Sequence, residues 1–403
     1  MRWKTCLFGA ITAIALFSGA RAQQPILRIG VLTDMTSGFS GWSGKGSVTA
    51  AQMAAEDYVK ANPSFPYRIE VVSGDHQNKA DVAATFARRW IDTENVAAVF
   101  DLPNSSAALA VNFALRDSKA ALIVSGGGHD NLTTKECSPN TVQWTFDLWS
   151  LANSTTREAV ARGLDQWYFI TANFAGGLGL QQVATTFLER AGGKVVGSTL
   201  PPLGALDYAS FLLQAQNSKA RAIGLGMAGN DLMNLVKQAG EFGIAAGGQK
   251  LVALAIFIQD IHGLGLKAAN GLVFTTAFYW DLDDGRRAWS LRFAERNGGD
   301  YPSEVHAGVY ASALHYFKAV AASGSTDGRT VVAKMKELPT DDPLFGRGVV
   351  RADGRKVHDM YVVEVKKPEE STKPWDYLKV LSVTPAERAF RPASAQDCPS
   401  LVK

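Results

Sequence analysis

The 403-residue chain is poor in cysteine and histidine, with three and six. The histidines are scattered, and none forms an H-E-x-x-H or comparable ligand pair, so a zinc-enzyme reading has no support. No G-x-S-x-G elbow occurs, which removes the usual mark of an α/β-hydrolase nucleophile. No run of Lys and Arg interleaved with aromatics appears, so nothing points to nucleic acid as a partner. Low-complexity tracts and short-period repeats are missing too. Beyond the N-terminal segment, no stretch is apolar for long enough to span a bilayer. No catalytic constellation and no cofactor motif is visible.

The N-terminus has a basic start (Arg2, Lys4), an apolar stretch over 6–17, and Ala20-Arg21-Ala22 ahead of Gln23. This order reads as a secretory signal peptide over 1–22, cut after Ala22. Cys6 begins the apolar stretch, whereas a lipoprotein cysteine would follow it, so no lipid anchor is expected. Loss of Arg2, Lys4 and Arg21 takes the formal charge of +3 to about zero. The exported chain keeps Cys137 and Cys398. In an oxidising compartment these are expected to form one disulfide pinning the C-terminal tail to the body, with two separate thiols as the alternative. Closing so long a loop contributes ~4–5 kcal/mol in the chain-entropy model.

Short β-branched or aromatic runs alternate with helical patterns. Strands are expected at 27–33, 68–74, 96–102, 120–125, 167–171, 194–199, 220–226, 250–256 and 271–277. Between them lie stretches such as VAATFARRWIDTE and DLMNLVKQAGEFG, with apolar residues at three-four spacing. Such alternation implies an α/β protein with parallel sheets covered by helices, and the length fits two doubly wound lobes. After Pro339 the chain becomes β-rich without intervening helices, which suggests that it crosses between lobes more than once.

The most informative stretch is 27–60, where a strand meets a Gly/Ser loop carrying Trp42 and a helix begins near Gly46 and Ser47. Gly44-Lys45-Gly46-Ser47 resembles part of a phosphate loop, but no glycine sits five residues before Gly44 and glycine follows Lys45. Gly224-x-Gly226-x-x-Gly229 follows a strand and opens a helix, yet no acidic residue stands at the dinucleotide offset, and close helix–strand packing explains it. Asp260-x-His262 reads as a helix start with Asp260 as N-cap, not as a metal site. A binding cleft is what remains. Leu102-Pro103-Asn104-Ser105-Ser106 ends one strand and opens a helix, and Ser125-Gly126-Gly127-Gly128-His129 ends the next with bare N–H groups. Hydroxyls and helix-end amides beyond parallel strands suit a carboxylate. Asn104 or Ser105 equally suits helix capping, and the two roles can coexist on neighbouring residues.

The sequence resembles the periplasmic solute-binding proteins of branched-chain amino-acid type ABC transporters over essentially the whole mature chain. The carriers are LRIGVLTDMTSGFSGWSGKGSVTAAQMAAED, Asp75-His76-Gln77-Asn78-Lys79, YFITANF (168–174), AGNDLMNLVKQAGEFGI (228–244), Tyr279-Trp280-Asp281, HAGVY (306–310), and ADGR with MYVVEVKKP (352–368). The resemblance implies two α/β lobes joined by three crossovers, closing on a solute like a flytrap. It implies lobe 1 over 25–145 plus 275–340, lobe 2 over 146–274 plus 341–385, and a tail, 386–403, tied to lobe 1. By position, Trp42 matches the cleft tryptophan, Asn104, Ser105 and Ser106 the carboxylate loop, and Gly127 and Gly128 the backbone donors. Phe174, Met227, Ala228 and Phe257 match the second-lobe wall, with Tyr279, Trp280 and His306 near the crossover or cleft floor.

Departures from the pattern narrow the ligand. Amino-acid binders of this family carry a second-lobe glutamate for the ammonium, but 252–257 reads VALAIF here. A buried ammonium without a counter-charge would cost several kcal/mol. An aromatic common in the family is Gly176 here, which implies a larger pocket. The resemblance extends to the subgroup associated with aromatic acids, and Trp42, Phe174, Phe257, Tyr279 and Trp280 offer stacking faces, although core packing explains any one of them alone. The expected protein is a non-enzymatic, monomeric periplasmic receptor that takes a small carboxylate to an inner-membrane ABC permease. A branched-chain amino-acid binder, a ligand sensor on the same fold and an exported α/β enzyme are the alternatives.

Overall fold

The computed structural model describes residues 24–393 and 397–401. The leader expected over 1–22 lies outside them. The first lobe begins with β1 (Ile26–Thr33), α1 (Gly44–Ala61), β2 (Arg68–Asp75), α2 (Ala80–Thr93), β3 (Val96–Asp101), α3 (Ser105–Leu115), β4 (Ala121–Val124) and β5 (Thr141–Gln143). These strands form a parallel sheet in the order β2-β1-β3-β4-β5. The run ILRIGVLT in β1 is almost wholly buried, as a central parallel strand covered on both faces must be. Gly30 within it is required by packing, because a Cβ there would lie 2.4 Å from the ring of Trp90 on α2.

The second lobe follows with α4 (Leu148–Ala161), β6 (Gln166–Thr171), α5 (Ala175–Arg190), β7 (Lys194–Thr199), α6 (Ala209–Asn217), β8 (Ala222–Gly226), α7 (Gly229–Glu241), β9 (Lys250–Ala253), α8 (Ile258–Leu264), α9 (Leu266–Ala269) and β10 (Val273–Thr276). Its parallel sheet has the order β7-β6-β8-β9. The expected strands coincide with these elements to within a few residues at their ends.

The chain then returns to the first lobe. After α10 (Asp284–Arg296), α11 (Glu304–Ser323) lies along α1, and α12 (Gly328–Glu337) packs on β4. Most of α11 is buried, which its apolar sequence requires. Three short strands, β11 (Thr340–Asp342), β12 (Gly346–Val350) and β13 (Lys356–Val357), form an antiparallel sheet. A last excursion makes β14 (Met360–Val365), which pairs with β10, and β15 (Leu378–Thr384), which pairs with β14, and α13 (Ala386–Ala389) rests on α4. One boundary differs from expectation. Residues 341–357 fall within the span expected for the second lobe, but β12 packs on α12, and Arg355 bridges to Gln143 of β5. The β-rich composition is shared by both segments, so sequence cannot show where the chain crosses.

Cys137 and Cys398 form the expected disulfide, with Cα atoms 5.6 Å apart and 261 residues between them in sequence. It ties the tail to the segment leading into β5. No helix among the described residues is long and apolar enough to cross a membrane. In each parallel sheet the strand order reverses, between β1 and β3 in one and between β6 and β8 in the other. Loops beyond such reversals cannot cover one another, so they leave a crevice at the strand C-termini. Here the two crevices face each other.

Candidate functional site

Every parallel strand next to the reversal points contributes to one cleft. Phe39 and Trp42 follow β1, Pro103 and Ser105 follow β3, and Gly126 and Gly128 follow β4. From the second lobe come Phe174 and Gly176 after β6, Met227 and Ala228 after β8, and Ala255 and Phe257 after β9. The unfilled space is about 360 Å³ including its open mouth. Aromatic rings narrow it. Trp42 stacks on Phe257 across the lobe junction, with centroids 4.2 Å apart and planes at 22°. Phe39 approaches Phe174 at 6.0 Å, also between lobes.

The loop that carries Phe39 and Trp42 is held from two sides. Asp34, at the end of β1, accepts hydrogen bonds from the N–H groups of Ser37 at 3.0 Å and Phe39 at 2.8 Å. From α11, Ser303 Oγ donates to the Trp42 carbonyl at 2.6 Å. His306 Nδ1 accepts from Ser303 N–H, which leaves Nε2 to donate to the Ser43 carbonyl at 2.7 Å. Burial pushes the His306 pKa down to about 4, so the neutral ring suits this role. His306 stands behind the cleft loop and does not line the cleft.

The residues matched to the carboxylate loop separate into different roles. Ser105 faces the cleft; a Cβ built on Gly176 would lie 3.1 Å from its Oγ. Asn104 is the N-cap of α3, its Oδ1 accepting from Ser106 N–H at 2.7 Å and Ala107 N–H at 3.1 Å, and its Nδ2 donating to Asn78. Ser106 Oγ accepts from the N–H of Ala175 at 3.3 Å, a direct bond between lobes at the starts of α3 and α5. Gly126 and Gly128 border the cleft, whereas Gly127 turns toward α3, where a Cβ would sit 2.8 Å from that of Ala108. Tyr279 and Trp280 lie at the crossover, their polar atoms reaching the Trp375 carbonyl at 3.5 and 2.8 Å, and Trp280 meets Tyr301 edge-on. Neither reaches the cleft.

Among the described residues, no charged side chain borders the cleft. The acid nearest the VALAIF wall is Asp260, and its expected role as N-cap is corrected. It is the third residue of α8, and its Oδ2 accepts from Phe257 N–H at 2.9 Å, satisfying an otherwise unpaired donor of the helix start. Burial raises its pKa to about 7. On the other side, Asp101 ends β3 with a φ of +82°, and its carbonyl accepts from the N–H groups of Ser125 and Gly126 at 3.0 and 3.2 Å. Its buried carboxyl also rises to about 7, which the nearby hydroxyls of Ser47 and Thr33 only partly offset. The starts of α3 and α5 meet at the Ser105–Gly176 contact, and their partial positive charge favours an anion there. Among the described residues, no group of three potential metal ligands occurs.

Sequence reasoning missed Phe39, Phe146, Leu148, Leu151, Leu180 and Ala255, which also line the cleft. Leu148 and Leu151 sit on the first turn of α4 and Leu180 on α5, where an apolar residue reads as core. Phe39 had a detectable sign, a second aromatic three residues before Trp42 in the same Gly/Ser loop.

Comparisons agree with this architecture. The family model for periplasmic binding proteins matches residues 26–372. A periplasmic binding protein from Burkholderia mallei is 41% identical, with a TM-score of 0.88 over 92% of this chain and 97% of that one. A branched-chain amino-acid ABC transporter periplasmic ligand-binding protein from Burkholderia xenovorans is 36% identical, with a TM-score of 0.79 over 91% and 97%. At 19% identity, a solute-binding protein from Rhodopseudomonas palustris crystallised with 4-hydroxybenzoate shares the fold, with a TM-score of 0.79 over 91% and 98%. No curated protein matches. The chain therefore belongs to the periplasmic binding protein family, in its branched-chain amino-acid ABC transporter type.

Proposed function

We propose that this protein is a non-enzymatic periplasmic receptor that captures a small aromatic carboxylate between its lobes and presents it to an ABC permease as a monomer. One observation carries the reading: the cleft joins a hydroxyl and glycine loops at helix starts to a ring-lined body without any charged side chain. Helix-start N–H groups and Ser105 hold the carboxylate, and Trp42, Phe174 and Phe257 pack the ring. An α-amino acid would bury its ammonium against a wall without an acid, since Asp260 is engaged by the backbone. The 4-hydroxybenzoate complex of the Rhodopseudomonas palustris protein supports the ligand class on the same fold.

Trp42 and Phe257 stand where a ligand ring would lie, so uptake needs the lobes to part and close again. A thermal-shift panel of benzoate, cinnamate, hexanoate, leucine and valine tests the assignment, because a ligand bound only by the folded state raises the Tm. Benzoate or cinnamate is expected to stabilise the protein. Stabilisation by leucine or valine alone overturns the aromatic-acid assignment.

A further inference from the structure

The cleft wall is uneven in what it can bond. Among the described residues lining it, Ser105 and Trp42 carry the strong hydrogen-bonding side-chain atoms, beside the weakly accepting thioether of Met227. Trp42 Nε1 is buried without a partner, and it is a donor. Around the ligand's body the wall consists of leucines, phenylalanines, Met227 and alanines. Four of the backbone acceptors there each already take a hydrogen bond. The Gly128 carbonyl accepts from Leu148 N–H at 2.8 Å, the Phe146 carbonyl from Arg355 at 2.7 Å, and the Phe257 carbonyl from Asp260 N–H at 3.0 Å. The Phe39 carbonyl accepts from Ser43 N–H at 3.2 Å.

We propose that the receptor selects acids whose body carries no hydroxyl, such as benzoate and alkylbenzoates, over their ring-hydroxylated counterparts. This rests on the carboxylate assignment above. A ring hydroxyl brings a proton that must find an acceptor once water is excluded. Ser105 faces the carboxylate end, Trp42 offers a second donor, and the wall supplies no side-chain acceptor stronger than the Met227 thioether. The hydroxyl proton then lacks a good partner, and burying a poorly paired polar group is costly. A methyl group in the same position gains contact with the apolar wall.

Calorimetric titration of the mature protein with benzoate, 4-methylbenzoate, 4-hydroxybenzoate and 3,4-dihydroxybenzoate tests this. Benzoate and 4-methylbenzoate are expected to bind at least about tenfold more tightly than the two hydroxylated acids. Equal or tighter binding of 4-hydroxybenzoate overturns the selection while leaving the carboxylate assignment intact. If none of the four binds, the carboxylate assignment fails and this inference fails with it.

Discussion

Trp42 of the first lobe stacks on Phe257 of the second with ring centroids 4.2 Å apart, and this pair closes the cleft. Both rings are buried, yet each leaves from a loop at a strand C-terminus. An aromatic pair of this kind contributes about 0.5–1.5 kcal/mol beyond the area it buries. Trp42→Ala removes a contact that exists only when the lobes meet. Benzoate affinity is expected to fall at least about tenfold, while the Tm of the ligand-free protein drops by no more than a few degrees. Calorimetry and thermal melts on the same preparation check both halves; early unfolding of the empty protein would make Trp42 a core residue instead.

Asn104 and Ser105 are adjacent but separable. Asn104→Ala loses the cap of α3 and the link to Asn78, and is expected to lower stability by about 1–2 kcal/mol in urea melts. Ser105→Ala is expected to leave the melt unchanged and weaken benzoate binding roughly fivefold, the worth of one hydrogen bond. The opposite pattern would make Ser105 structural.

Gly176 tests the space between the lobes. A Cβ at this position would lie 2.6 Å from the Phe174 ring and 3.1 Å from Ser105 Oγ. Gly176→Ala therefore displaces Phe174 into the cleft. Loss of benzoate binding with circular dichroism unchanged is the expected result; retained affinity would show that the ring moves away without consequence.

Asp101 predicts a pH dependence. Its folded pKa is raised by burial from 3.8 to about 7, so its contribution to stability is fully present below about pH 4 and is lost as pH rises through 7. Asp101→Asn keeps the shape, and Asn tolerates the positive φ of +82°. Compared with wild type, the variant is expected to gain stability as pH rises from about 4 to about 7 and to level off above that. Equal urea midpoints for the two proteins at pH 8 would mean that the carboxyl is not so placed.

Cys137 and Cys398 close a loop of 261 residues. Cys398→Ser is expected to cost about 2–5 kcal/mol by urea unfolding. Added reductant should bring wild type to the same midpoint and leave the variant unmoved.

The sequence by itself determined the alternation of strands and helices, the loops that bear the site, and the disulfide pair. These are local properties: apolar runs mark buried strands, and Gly, Ser and Pro mark where the chain turns. Trp42, Phe174 and Phe257 were legible because aromatics in such loops lie at strand ends. Which of two neighbours faces the cleft was decided only in three dimensions. At a helix start each step of one residue swings the side chain by about 100°, so Ser105 points between the lobes while Asn104 caps α3 and Ser106 bridges to Ala175. Gly128 and Gly127 part in the same way. His306, Tyr279 and Trp280 are as polar or aromatic as any ligand contact, but the packing of α11 and the crossover takes their bonding atoms to Ser43 and Trp375. Side-chain direction depends on backbone angles and on distant neighbours, and neither is written in the spacing of residues along the chain.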